Sequence, residues 1–581
     1  MPAVGKNLAH DSARTHVTGR SVFLDDLAPL AGELVAGIVP SPHAHGRLLS
    51  LDTTQASQLP GVAAVLTAAD VPGHNRFGPV VVDEDLLVEE YAVFLGQPLA
   101  LIAADSQDIL HQAIAAVEIE MQELAPILSI DDAIAAESWL GDTIKIECGD
   151  LAAGFDEADY VVEGTLDIGG QEQFYLESQI AVATPGEQGQ MHIQSSTQHT
   201  TEVQEMVAEV LGVPFNHVVC TCKRMGGAFG GKETQAAPPA MMAALLAGQT
   251  RRPVRFAYNK DDDMRFTGKR HPFKSFYKAG FTRDGRVTAL DVELYSNGGC
   301  STDLSPAVLE RALLHTDNTF HFENLRVAGR ICKTHLPSNT AFRGFGGPQG
   351  VASTENILEH VARYTGLDPL DVRQRNTYGS VPDLTPPTTP YGQVVQNNTL
   401  PELFASIREE AGYDARRAAI TRFNQASPTH LRGLAVSGVK FGISFTRRAM
   451  NQANALVNIY HDGSVMVSTG ATEMGQGVNT RIRQIVADEL GVLYEQVLVA
   501  ITSTEKNNNT SPTAASSGTD LNGAAAADAC SRLRERLAAV AAGMLGSKPA
   551  GRAPELANIV FQEGFAIDTR KPRKRIPFDK V

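Results

Sequence analysis

Two stretches of the chain are near copies of one another. Residues 207–220 read VAEVLGVPFNHVVC and residues 486–499 read VADELGVLYEQVLV. They align without gaps, with identities at Val207/Val486, Ala208/Ala487, Leu211/Leu490, Gly212/Gly491, Val213/Val492 and Val218/Val497. In the first copy Val203, Met206, Val207, Val210 and Leu211 recur at helical spacing and make one apolar face. Leu-Gly-Val then ends the helix, and the residues after it predict a strand. Each strand leads toward small residues, RMGGAFGGKE (224–233) in the first copy and SPTAASSGTD (511–520) in the second. The fold must therefore accommodate two like helix–turn–strand units, each offering a loop. Duplicated halves of this kind suit a ligand held between them.

Two further small-residue stretches join these: NTAFRGFGGPQG (339–350) and TEMGQGVNTR (472–481). Glycine lets backbone approach a ligand closely, and backbone N–H groups in such loops form anion-binding nests. Gln476 can donate and accept, so it can read heteroatoms. Four such loops in one chain point to a large polar cofactor carrying a phosphate. Gly226 to Lys232 has the spacing G-x-x-x-x-G-K of a nucleotide-binding P-loop, but Glu233 stands where a magnesium-binding hydroxyl belongs. A carboxylate there would repel phosphates, so an ATPase is not expected.

The 581 residues imply roughly three or four domains at about 150 residues each. The net charge of −16 argues against nucleic acid or an anionic membrane as partner. The one basic run, RKPRKR (570–575), reads as solvated surface. Six scattered cysteines give no disulfide, zinc or iron–sulfur spacing, and Cys220 and Cys222 read as packing in an alternating strand. No apolar run approaches the ~18 residues that span a bilayer, and the N-terminus lacks a signal-peptide core, so the cytoplasm is expected. GVAAVLTAADV and PLALIAADSQDILHQAIAAVEIEM, within 20–140, read as strand–turn–helix units of a separate α+β domain. Asp284-Gly285 and Asp462-Gly463 predict hairpin turns, and DLTPPTTPYG (383–392) predicts a boundary.

With these readings in place, the stretches GGQEQFYLES (169–178), KRMGGAFGGKET (223–234), LSPAVLERALLH (304–315), SNTAFRGFGGPQ (338–349), KFGISFT (440–446), TEMGQG (472–477) and SPTAAS (511–516) resemble, in order, the molybdenum hydroxylase family of xanthine dehydrogenases and aldehyde oxidases. The resemblance covers nearly the whole chain, from GKNLAHDSARTHVTG (5–19) onward. It implies an α+β chain: an N-terminal extension (1–19), an α/β hammerhead domain (20–140), and duplicated molybdopterin-binding domains (141–395 and 396–581), the second incomplete. It implies a molybdopterin cofactor here, with 2Fe-2S and FAD centres on a partner subunit. Heterodimers or dimers of heterodimers, a purine substrate and NAD reached through the partner also follow from it.

Residue roles follow from the same resemblance. Gln171, Phe229, Arg343 and Ala515 would surround the molybdenum and its ligands. Gly227, Ala228 and Gly230 would bring backbone to it; Met474, Gly475 and Gln476 would hold the pterin, and Thr513 and Ser516 its phosphate end. Phe345 and Phe445 would sandwich a flat substrate whose edges Glu233 and Arg311 would read, Arg311 also stabilising negative charge that develops on a carbonyl oxygen. Glu233 and Arg311 together favour purines over aldehydes or other N-heterocycles. The family's chain continues past IPFDKV, and its general-base glutamate lies there in a Gly-Glu-Pro-Pro motif. No Gly-Glu-Pro occurs in these 581 residues. The resemblance thus implies a C-terminally truncated chain: a fragment of the enzyme, or a short chain that is catalytically silent.

Overall fold

The structure is a computed structural model that describes residues 3–380, 387–546 and 556–581. Its two repeats fold alike. In the first, strand Met191–Ser195 pairs antiparallel with Ile180–Pro185, helix Thr200–Leu211 follows, and strand Val218–Cys222 returns parallel to Met191–Ser195. In the second, strand Val465–Thr469 pairs antiparallel with Ala455–Ile459, helix Val478–Leu490 follows, and Val497–Val499 returns in parallel. Gly212 and Gly491 end the two helices with the same left-handed φ of 66°. Past each, a valine N–H closes the turn at 3.0 Å, Val213 onto Ala208 and Val492 onto Ala487. A second helix packs on each repeat helix: Ala237–Thr250 in the first half, Gly518–Met544 in the second. Ala237–Thr250 is apolar almost all round and buried along most of its length, as a helix enclosed on every side must be.

The apolar face read from the sequence lies inside. Val203, Met206, Val207 and Val210 are buried. Cys220 and Cys222 are buried in their strand, and all six cysteines are free thiols. Both Asp-Gly turns join antiparallel strands, Phe273–Phe281 to Val287–Gly299 and Ala455–Ile459 to Val465–Thr469. Within 20–140, PLALIAADSQDILHQ forms strand Pro98–Ala104 and helix Gln107–Ala115, whereas GVAAVLTAADV forms strand Val62–Leu66 and only a short 3-10 turn. This region is not sealed off near residue 140. Its strand Leu34–Pro40 pairs parallel with Val254–Ala257, so one eight-stranded sheet runs through it and the first half. That pairing covers strand edges each unit would otherwise expose.

Strand Thr502–Ser503 leaves the second half and pairs with the end of Val218–Cys222, tying the halves at the strand tips that carry the loops. The Pro-Thr boundary at 383–392 lies partly outside the described residues. The basic run 570–575 is exposed, with Lys574 donating to the carbonyl of Leu545 at 2.9 Å beyond the helix Gly518–Met544. Among the described residues no helix is long and apolar enough to cross a membrane.

Candidate active site

The four small-residue loops converge. Met225 N–H donates to Glu473 O at 2.9 Å, joining 224–233 to 472–477. Arg343 N–H donates to Phe229 O at 2.8 Å, joining 339–350 to 224–233. Thr472 N–H donates to Thr513 Oγ1 at 2.9 Å, bringing in 511–516. Gln198 completes the ring. Its Oε1 accepts Gly230 N–H at 2.9 Å and its Nε2 donates to Thr513 O at 3.0 Å. Its backbone bonds Lys232 O and Thr513 N in addition. Nothing in STQHT marks Gln198 in the sequence, because its role comes from a contact 315 residues along the chain.

These loops hold strained backbone. Phe229, Phe345, Ala515 and Ser516 all have left-handed φ between 50° and 57°. Non-glycine residues sit there only where the surroundings force them, and such sites cluster at ligand clamps. Glycine is needed at Gly230, where φ is +103° and an added Cβ would lie 2.8 Å from Ala341. Gly475, at φ +104°, faces open space.

Lys232 does not reach toward a ligand. It is fully buried, donating to Glu177 O at 2.7 Å and Ser196 Oγ at 2.8 Å, and pairs with Glu177 Oε2 at 3.4 Å. Burial pulls its ammonium down to about 8, against the opposing pull of Glu177. Glu177 Oε2 also accepts Gly226 N–H at 2.9 Å, so the pair anchors the loop from behind. A phosphate-binding lysine would have to leave that site, which removes the P-loop reading on physical grounds.

Gln171 is exposed, its carbonyl accepting Arg270 N–H at 3.0 Å. Arg343 is exposed beside it through Arg270, whose Nη2 donates to Arg343 O at 2.8 Å. Arg270 stacks on Phe342 at 3.9 Å and is 6% exposed, with Nε and Nη1 lacking partners. Burial lowers its pKa to about 10. An under-satisfied buried guanidinium next to a glycine loop favours an arriving anion. Ala228 is buried, Gly227 and Gly230 turn the chain around it, and Phe229 stands 43% exposed over the loop. Met474 is half-buried and Thr513 buried. Gln476 spends its amide within its own loop, accepting Met474 N–H at 2.7 Å and donating to Thr472 O at 3.0 Å.

Next to the loops lies a cavity of about 660 Å³ between helix Ser305–Leu314 and segments 389–396 and 440–446. Ser444 N–H donates to Ala515 O at 2.8 Å, which sets the cavity wall against loop 511–516. Arg311 lines the cavity. It is 4% exposed, donates to the carbonyls of Gly442 and Ser444, and keeps Nε unpaired. Burial lowers its pKa, with Glu310 opposing. Phe445 lines the cavity too, together with Phe441, which lies 5.6 Å from the Arg311 guanidinium. His315 Nδ1 donates to Arg311 O at 2.8 Å and Nε2 accepts Gly442 N–H at 3.1 Å. Burial pulls His315 down to about 4, so it is neutral and holds the segment in place.

Of the four residues expected on the substrate, the structure brings Arg311 and Phe445 to this cavity and leaves Glu233 and Phe345 out of its lining. Phe345 packs half-buried against the core of the first half. Glu233 is 3% exposed and is raised to about 8, first by burial and then by Glu202, with His199 opposing. His199 bridges Glu202 Oε2 at 3.0 Å and Thr510 O at 2.9 Å. Phe441 and His315 belong to motifs quoted from the sequence, yet neither was given a role there.

Family models match three stretches: an "Aldehyde oxidase and xanthine dehydrogenase, a/b hammerhead domain" over 18–125, and two molybdopterin cofactor-binding domains over 134–377 and 406–570. The chain is 43% identical over 535 residues to xanthine dehydrogenase/oxidase of Felis catus, covering 92% of this chain and 40% of that protein. It is 41% identical to xanthine dehydrogenase of Dictyostelium discoideum, covering 91% and 38%. The chain thus spans about two fifths of the length of the curated relatives it matches. Quinoline 2-oxidoreductase from Pseudomonas putida 86 superimposes with TM-score 0.86 at 24% identity, over 100% of this chain and 75% of that one. The aldehyde oxidoreductase from Desulfovibrio gigas does so with TM-score 0.79 at 26% identity, over 92% and 60%. The chain belongs to the aldehyde oxidase and xanthine dehydrogenase family of molybdopterin-binding proteins.

Proposed function

We propose that this chain carries the molybdopterin site of a purine hydroxylase that converts hypoxanthine to xanthine and xanthine to urate, with water as the oxygen source. Electrons would pass to 2Fe-2S and FAD centres on a partner subunit and on to NAD, in a heteromeric complex. The likeness to proteins called xanthine dehydrogenase supports the substrate. Six free thiols suit the reducing cytoplasm. The donor set fits the cofactor: loops rich in backbone N–H, the exposed Arg343 and the unpaired nitrogens of Arg270 suit a polyanion. Gln171, Gly227, Ala228, Phe229, Gly230 and Arg343 would hold the molybdenum end, and Met474, Gly475 and Gln476 the pterin. Thr513, Ala515 and Ser516 would take the phosphate end. The bound group supplies the redox chemistry and the activated oxygen.

The chain's own residues do the rest. Phe445 and Phe441 offer aromatic faces to a flat ring. Arg311 presents a fixed cation to a carbonyl at the ring's edge, where charge builds as the neighbouring carbon is attacked. Glu233, outside the cavity lining, holds its proton at neutral pH and would offer a donor and an acceptor to a ring that extends past the lining toward loop 224–233. The single observation that carries the proposal is a buried, incompletely paired Arg311 lining a cavity next to the converged loops. A second reading, hydroxylation of an aldehyde or another N-heterocycle, draws on the absence of Glu233 from that lining. Purification from the native source with its partner tests the proposal. Molybdenum and pterin near one per chain, with xanthine-dependent reduction of NAD, is expected. A protein with full cofactor that leaves xanthine untouched would refute it.

A further inference from the structure

Residues 3–27 run as a strap over both halves. The first part lies on the second half. Val4 N–H donates to Asp488 Oδ2 at 2.9 Å, Gln484 Nε2 donates to Ala3 O at 2.7 Å, and Asp11 N–H donates to Thr480 Oγ1 at 2.8 Å. The last part lies on the first half, where Arg255 donates to the carbonyls of Leu24 and Leu27 at 3.1 and 3.2 Å.

The strap meets one carboxylate behind each of two glycine loops. Leu24 N–H donates at 3.1 Å to Glu177 Oε1, the residue whose other oxygen takes Gly226 N–H. His10 Nε2 lies 3.4 Å from Oε1 of Glu473. That carboxylate is 4% exposed. It accepts the N–H groups of Gly475 and Gly477, both at 2.9 Å, and of Asn479 at 3.2 Å. Glu473 therefore shapes 474–477 from within, while its backbone carbonyl ties that loop to Met225.

His10 Nδ1 accepts Ser12 N–H at 3.1 Å, which places the ring hydrogen on Nε2, toward Glu473. The ring also covers Gly477, where an added Cβ would lie 3.4 Å from His10 Cδ2. His10, Asp11 and Glu473 are close enough to hold a cation, with ligand atoms within 4.8 Å of one another. Glu473 Oε1 already receives two backbone N–H groups and the histidine, which favours a hydrogen-bonded clamp.

We infer that the strap holds the two glycine loops in register, and that His10 is a positioning residue. Through Glu473 it keeps Met474–Gly475–Gln476 in the conformation that binds the cofactor. This role toward the cofactor rests on the molybdopterin reading. Hydrogen exchange of segment 472–481, read by mass spectrometry on the complete protein with its partner, tests the clamp, with pterin content measured alongside. In His10→Ala the segment should exchange about tenfold faster and the pterin content should drop. His10→Gln, whose amide can still donate, should return exchange to within about twofold of wild type and restore the pterin. Unchanged exchange in His10→Ala, or no rescue by glutamine, overturns the inference. Zinc or manganese alone that slows exchange in the wild type but not in His10→Ala would overturn it in favour of a cation site. If the wild type carries no pterin, the proposed function fails while the exchange data still decide the clamp.

Discussion

Glu233 keeps its proton up to about pH 8 because burial strips water from its carboxyl and Glu202 adds like charge. The unfolded chain loses that proton in the ordinary carboxylate range. Between that range and about 8 the folded state binds a proton the unfolded state does not, so stability falls as pH rises. Asp303, pushed up to about 7 chiefly by burial, adds slope of the same sign. Glu233→Gln should therefore lose about 2–4 °C less in melting temperature between pH 5 and pH 8 than the wild type. Parallel melting curves would contradict the buried neutral carboxyl. Lys232 shows the reverse case. Removing its ammonium would leave Glu177 charged and buried, a change that typically costs about 3–5 kcal/mol. The sequence shows the letters G-K-E at 231–233 but not which way they point, since direction is set by Glu177, Ser196 and Glu202 far along the chain.

At the level of elements, Gly212 and Gly491 perform one task in two copies with different surroundings. Both have φ 66°. A Cβ on Gly212 would meet Pro72 O at 3.3 Å, whereas one on Gly491 would lie 2.1 Å from Phe561 O. Gly212→Ala should cost about 1 kcal/mol from backbone strain alone. Gly491→Ala should cost about 3 kcal/mol or more, because backbone must also move. Denaturant melts of the two variants check this, and equal losses would contradict it. The repeat itself was legible because it is local: Val203 to Leu211 share a helix face and Leu-Gly-Val ends it. The pairing of Leu34–Pro40 with Val254–Ala257 was not, because no pattern within either strand specifies a partner more than 200 residues away. Gln198 was missed for the same reason, and Glu473 and Phe441 were seen only as letters of a motif.

Across the whole molecule there are two like units, and Thr502–Ser503 crosses from one to pair with the other, so that their loops meet. Neither half alone holds all four loops. Strained residues gather where the loops touch, and the cavity opens beside them on Arg311 and Phe445. Under the proposed function, this cavity reads a purine through the charge on Arg311. The most direct measurement is kcat/KM for xanthine and for a simple aromatic aldehyde, in the wild type and in Arg311→Met, each in complex with its partner and matched for pterin content. Xanthine turnover should fall about 100-fold or more while aldehyde turnover stays within about threefold. An equal loss on both substrates, or a wild type that prefers the aldehyde, would contradict the account.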